Sequence, residues 1–277
     1  MDSLPKKKRL NLYLPFAKSE IQRAMSYRMN FFMFAIGGLI QVFVTYYLWI
    51  AIFKSSPTST LNGFTLSNII VYIFMSNITA RAVNSSGDMI VGEEVLTGDI
   101  AMNLIRPISY HLRLLFQCLG TVAYQFVTLS VPMWIGLILV RYYTAHELPP
   151  SIGTILLYTC SCLLSFYILF LFNFCFGMLA FYVTYIWGLR VCKNSIFNFF
   201  SGQIIPLAFF PLWFQHAMNF VPFGSINYTP VMIYLQKLTG YEALKAILVQ
   251  VVWIGVLFLI SRLIWKKATK RLMILGG

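Results

Sequence analysis

Residues 29–53 carry no charged side chain. A helix of about 25 residues is about 37 Å long at 1.5 Å per residue, enough to cross a hydrocarbon core of about 30 Å with some tilt. Comparable apolar runs cover 64–80, 114–140, 152–182, 194–214 and 243–265, and nothing between Glu147 and Arg190 is charged. In lipid the backbone must satisfy its own hydrogen bonds, which leaves helices as the means of crossing for runs of this length. The expectation is an all-α integral membrane protein, a single transmembrane domain over 1–277 with six spanning helices. Hydrophobic residues make up 59% of the chain and charged residues only 10%, which excludes an ordinary soluble domain.

The net charge of +13 would suggest nucleic acid on a soluble chain. Here the basic residues flank the apolar runs, so they read as orientation signals and no nucleic-acid partner is expected. Six spans place both termini on one side. With the termini inside, seventeen Lys and Arg are cytoplasmic and four (Lys54, Arg141, Lys237, Lys245) are outside. The positive-inside rule therefore puts the termini and the 83–113 loop in the cytoplasm. The basic lead-in at 6–9 does not read as a cleavable signal, because Pro15, Lys18, Glu20, Arg23 and Arg28 interrupt the stretch after it. Over 14–28, Leu14, Ala17, Ile21, Ala24 and Met25 recur at helical spacing. This predicts an amphipathic interfacial helix whose Lys18, Arg23 and Arg28 meet anionic membrane lipids.

Prolines qualify the spans. Pro132 predicts a kink in the third, and Pro206 and Pro211 fall in the outer half of the fifth. Residues 215–241 are apolar but broken by Pro222, Gly224, Pro230 and Gly240, so they cannot be one spanning helix. They are expected to form a pair of short re-entrant helices on the outer side, packed against protein.

Catalytic and metal chemistry is not expected. The chain has no GxxxxGK[ST] phosphate loop, and His111, His146 and His216 are scattered over both membrane faces. Cys118, Cys160, Cys162, Cys175 and Cys192 lie in or beside apolar runs without a CxxC pair, as small apolar fillers do. No cofactor bound by the chain is expected. The span interiors offer Gln41, Asn77, Gln117, Gln125, Asn173 and Gln203 as large polar groups and no ionisable pair for a coupling ion. Gln41, Asn77 and Gln203, with Phe209 and Phe210, are the candidates for a substrate path. Hydrogen bonding between packed helices is the competing explanation for the amides, and packing for the rings. Uphill transport by such a chain needs energy from another subunit.

The 83–113 loop offers a place for that subunit. It holds Asp88, Glu93, Glu94 and Asp99, half of the eight carboxylates. Gly98 can end a helix in the left-handed conformation, and Asp99 then stands where an N-cap is wanted, ahead of Ile100, Met102, Leu104 and Ile105. Arg106-Pro107 forces an extended exit. Helix, sharp turn and short helix would make a compact projection, both acidic and apolar.

The segment 94–109, EVLTGDIAMNLIRPIS, resembles the E-I-x-x-G-x-[IL]-x-x-x-L-[IL]-R-P signature of type-two permeases of ATP-binding-cassette (ABC) exporters. Within these it is similar to the bacterial permeases of roughly 260–280 residues. Tyr27 to Phe31, Leu48-Trp49, SGQIIPLAFFP at 201–211, Val221-Pro222-Phe223, Pro230 and the terminal Gly276-Gly277 agree with that group; Asn103 departs from it, where a bulky or charged residue is common. The resemblance implies a permease of the bacterial cell membrane that pairs with a second permease, identical or homologous. ATP and Mg would bind a separate ABC ATP-binding subunit. Glu93, Glu94, Gly98, Asp99, Arg106 and Pro107, with the interfacial helix, would form the coupling surface for that subunit. The second and fifth spans would line the route of an amphiphilic cargo: a drug, antimicrobial peptide or lipid. A membrane-embedded lipid-modifying enzyme and a non-transporting membrane anchor are the alternative readings.

Overall fold

A computed structural model describes residues 11–146, 149–183 and 185–275. The basic lead-in at 6–9, Glu147 and the terminal Gly276-Gly277 lie outside the described residues. Among the described residues the fold is all-α apart from one hairpin, and five helical stretches are long and apolar enough to cross a membrane.

Helix α1 (Leu14–Ser26) covers most of the expected interfacial segment, but Arg28, expected on its basic face, opens α2. Instead of standing alone, α1 is fastened to α6 (Tyr110–Gln125). The Tyr13 ring stacks on Phe116 at 5.6 Å, and the Tyr13 hydroxyl accepts from the Ser109 N–H at 3.0 Å. Gln117 Nε2 donates to Glu20 Oε1 at 3.4 Å. The approach is close enough that a Cβ on Gly120 would lie 2.3 Å from the Ala17 carbonyl oxygen. Glu20 is buried and pairs with Arg23 at 2.8 Å, while Lys18, Leu14 and Met25 remain exposed.

Helix α2 (Arg28–Ser55) leads into a two-stranded antiparallel hairpin, β1 (Thr60–Leu61) and β2 (Phe64–Thr65), closed by Asn62-Gly63. Thr65 caps α3 (Leu66–Ala82) by accepting from the Asn68 N–H. Two short helices follow, α4 (Gly87–Thr97) and α5 (Asp99–Ile105), then α6. The third span is not a simple kinked helix. A π-helical turn, Phe126–Ser130, joins α6 to α7 (Val131–Ala145). Pro132 has no N–H to offer the preceding turn, and the wider turn absorbs that loss.

Helix α8 (Ile152–Gly177) continues through a 3₁₀ turn, Met178–Phe181, as the 152–182 run requires. The fifth run departs from expectation. Its helix, α9, spans Trp187–Phe200 and not 194–214. Fourteen residues reach only about 21 Å, short of the hydrocarbon core of about 30 Å. The chain leaves the helix at Ser201, and Pro206 and Pro211, which cannot donate to a preceding turn, keep the next stretch to a 3₁₀ turn, Leu207–Phe209.

Residues 212–234 form three short helices where a pair was expected: α10 (Leu212–Met218), α11 (Phe223–Ile226) and α12 (Tyr228–Tyr234). Pro230 lies in the first turn of α12, where a missing N–H costs nothing. The last helix, α13 (Gly240–Leu275), extends the sixth span at both ends.

Helices α3 and α8 are central, and α2, α6–α7 and α13 are peripheral. Two apolar cores flank the centre. One joins α4, α5, α6, α8 and α13 through Val91, Ile100, Leu114, Phe170 and Phe174. The other joins α2, α3, α7, α8 and α12 through Trp49, Phe64, Tyr72, Leu137 and Val231. Gln250 of α13 bridges the bundle: it accepts from Ser161 Oγ at 3.1 Å and donates to the Ser225 carbonyl at 2.7 Å.

Candidate functional site

The α4–turn–α5 projection has the anticipated shape. Gly98 adopts φ 82°, ψ −3°, the left-handed conformation that L side chains disfavour, and it reverses the chain in a single residue. Arg106 leaves α5 extended at φ −61°, ψ 135°, as a residue before proline must. Asp99 is not the N-cap. It is the first residue of α5, Gly98 is the cap position, and the Asp99 carboxylate instead accepts from Thr97 Oγ1 at 2.8 Å.

The four carboxylates divide by direction. Glu93 and Asp99 are exposed, together with Gly98, Arg106 and Pro107. Leu96, Met102 and Ile105 accompany them at 54%, 66% and 77% exposure, large apolar side chains beside two acids at the turn. Ile100 is buried and Leu104 half-buried, so these two belong to the core and not to the exposed face.

Glu94 and Asp88 point inward. Glu94 receives Arg113 Nη2 at 2.7 and 2.8 Å and the Tyr110 hydroxyl at 2.9 Å. It therefore ties α4 to α6 and is not part of the exposed surface, contrary to the expectation from sequence. Asp88, fully buried in the first turn of α4, accepts from Lys193 Nζ at 2.5 Å and from Arg190 Nε at 3.3 Å, both on α9. Lys193 also donates to Asn173 Oδ1 at 2.6 Å, and Asn173 Nδ2 donates to the Ser85 carbonyl. No sequence motif marks this network. The signal available was that Asp88 is the one carboxylate of the loop lying ahead of the Met89-Ile90-Val91 apolar run.

On the far side of Lys193 lies a cavity of about 580 Å³. It is walled by α2, α3, the α6–α7 junction, α8 and α9. Gln41, Asn77 and Gln203, the candidate path amides, all line it. Phe209 and Phe210 do not. Phe209 packs on Trp49 at 4.8 Å, and Phe210 stacks on Phe214 at 4.5 Å within the aromatic cluster around α10.

A family profile described as ABC-2 family transporter protein matches residues 39–276. The chain belongs to that family. It is a multi-pass membrane protein, the permease component of an ABC transporter and not itself the catalyst, and the family association implies an ABC ATP-binding subunit as partner. No curated protein matches the chain. The match begins within α2, so α1 is placed by its packing on α6 and not by the family pattern.

Proposed function

We propose that this ABC-2 permease exports an amphiphilic substrate across the bacterial cytoplasmic membrane, together with a second permease that is identical or homologous. Both termini and the α4–α5 projection face the cytoplasm. α9 and the short helices α10–α12 complete a sixth, broken crossing whose outer part is re-entrant. A separate ATP-binding subunit, carrying the ATP and Mg, docks on the projection, with α1 beside it.

The observation that carries this reading is the tip at Gly98. Leu96, Met102 and Ile105 stand in the open beside Glu93 and Asp99, which favours an apolar pocket with a basic rim on the partner. ATP-driven closure of the nucleotide-binding dimer would push the two projections together. Glu94–Arg113 would pass the displacement to α6, and Asp88–Lys193 would pass it to α9. The cavity between α3 and α9 would then open to alternate sides.

The test is co-purification of the permease with its ATP-binding subunit, followed by ATP turnover. Met102→Asp should lose the partner, since a charge would be placed in a desolvated pocket. Undiminished retention and turnover in Met102→Asp and Ile105→Asp together would overturn the coupling surface.

A further inference from the structure

We infer that the cavity between α2, α3 and α9 is a binding site for a phosphate-monoester headgroup, so that the amphiphile this permease handles is anionic. The inference rests on the transport reading only in treating the cavity as part of the cargo route.

Three cations line the cavity: Arg81 of α3 and Arg190 and Lys193 of α9. No carboxylate lines it among the described residues. Asp88, behind the wall, pairs with Lys193 and Arg190 and supplies one negative charge against three positive ones. Arg81 has no ion-pair partner among the described residues, and its Nε is buried without a hydrogen-bond partner. Uncompensated charge among spanning helices is costly, and such groups face a pathway or a ligand.

Two positive charges therefore await an anion. A phosphate monoester carries about −1.5 to −2 charges at neutral pH and offers three strong acceptor oxygens. Guanidinium forks match its geometry. Arg190, Asn194 and Asn198 recur at i, i+4 and i+8 on α9, so one helix face presents a cation and two amides to the same space. Met33, Leu129 and Phe197 line the same cavity and give an apolar wall for the beginning of a chain.

Arg81 is held in place by α2. A Cβ on Gly38 would lie 1.9 Å from Arg81 Nη2, so the guanidinium occupies the notch that this glycine leaves. A side chain at 38 would displace the cation without removing its charge, which gives a second handle on the site.

The experiment uses the permease purified with its ATP-binding subunit in nanodiscs containing phosphatidic acid and phosphatidylcholine with identical acyl chains. Retained lipid is counted by native mass spectrometry. Phosphatidic acid should be retained over phosphatidylcholine by about tenfold or more, and Arg81→Gln should reduce that preference by about tenfold. Gly38→Ala should reduce it in the same direction and stands in if Arg81→Gln fails to accumulate. Equal retention of the two lipids, or a preference unchanged in both variants, overturns the site. Retention of inorganic phosphate with no preference between the lipids overturns the amphiphile. Met102→Asp separates this inference from the coupling surface: it should lose the ATP-binding subunit and keep the lipid preference.

Discussion

Asp88 of α4 and Lys193 of α9 meet side chain to side chain across 105 positions of sequence, with the carboxylate fully buried and the ammonium nearly so. The contact joins the helix that carries the exposed Gly98 tip to the helix that walls the polar cavity. Removing one partner of a buried pair leaves the other charge without compensation, at a cost of about 3–5 kcal/mol. Asp88→Asn should therefore lower the thermal midpoint of the detergent-solubilised complex more than any single change at the exposed tip. Adding Lys193→Gln should recover a large part of the loss, as coupled residues do in a double-mutant cycle. Independent, additive losses would show that the two groups do not depend on one another.

Glu94 and Arg113 make the second internal brace, with Arg113 4% and Glu94 12% exposed at the side chain. Because Glu94 faces α6 and not the partner, Glu94→Gln should leave the ATP-binding subunit bound while separating its turnover from transport. Arg113→Lys should do the same, since a point charge on a shorter reach cannot replace the guanidinium that serves both oxygens of Glu94. Co-purification combined with a vesicle transport assay distinguishes this outcome from the loss of docking expected at Met102.

Gly98 tests the shape of the turn alone. Nothing lies within 4 Å of a Cβ built there, so a substitution meets no steric obstacle beyond its own backbone. At φ 82° an ordinary residue costs about 1–2 kcal/mol, while Asn tolerates the left-handed region. Gly98→Asn should retain the ATP-binding subunit near the level of the unmodified chain, and Gly98→Val should retain less. The same order should appear in ATP turnover stimulated by the permease.

The orientation of the chain is accessible to labelling. Ser59 lies exposed ahead of the β1–β2 hairpin, at the opposite end of α3 from α4. In a chain whose exposed Cys160 and Cys192 have been replaced, Ser59→Cys should react with an impermeant maleimide on intact cells. Lys267→Cys, exposed near the C-terminal end of α13 and outside the docking surface, should react in the same background only after lysis. The reverse pattern would invert the topology drawn from the basic residues.

Length and apolarity made α2, α3, α6–α7, α8 and α13 legible, because a 36-residue helix such as α13 announces itself by composition alone. The Gly98 turn and the Arg106-Pro107 exit were legible because backbone stereochemistry leaves those residue types few alternatives. The inward turn of Glu94 and Asp88 was not. Side-chain direction in a short helix with flanking apolar residues on several sides depends on which neighbour supplies the counter-charge, and Arg113 and Lys193 come from separate helices. The α9 boundary differs for a related reason: Pro206 and Pro211 read as kinks within a span, whereas the chain has already left the helix at Ser201. Gln250 carries the same mark as Gln41 and Asn77, a lone amide in an apolar run, but nothing in the sequence names its partners Ser161, Ser165 and Ser225.

That amide supplies a further prediction. Gln250 is fully buried, and its side chain serves Ser161 Oγ, Ser165 Oγ and the Ser225 carbonyl, fastening α13 and α8 to the short helix α11. Gln250→Leu keeps the apolar packing and deletes the amide, leaving the buried Ser161 hydroxyl without the acceptor Gln250 Oε1, while the Ser225 carbonyl keeps Ser165 Oγ. A buried group left unpaired costs about 1–3 kcal/mol, so the thermal midpoint should fall by several degrees. Gln250→Asn, one methylene shorter, should fall nearly as far, because the amide no longer reaches α11. Since α11 places Ile226 against the cavity, both changes should also blunt the phosphatidic acid preference without disturbing retention of the ATP-binding subunit. An unaltered midpoint in both variants would show that the serines satisfy one another when the amide is removed.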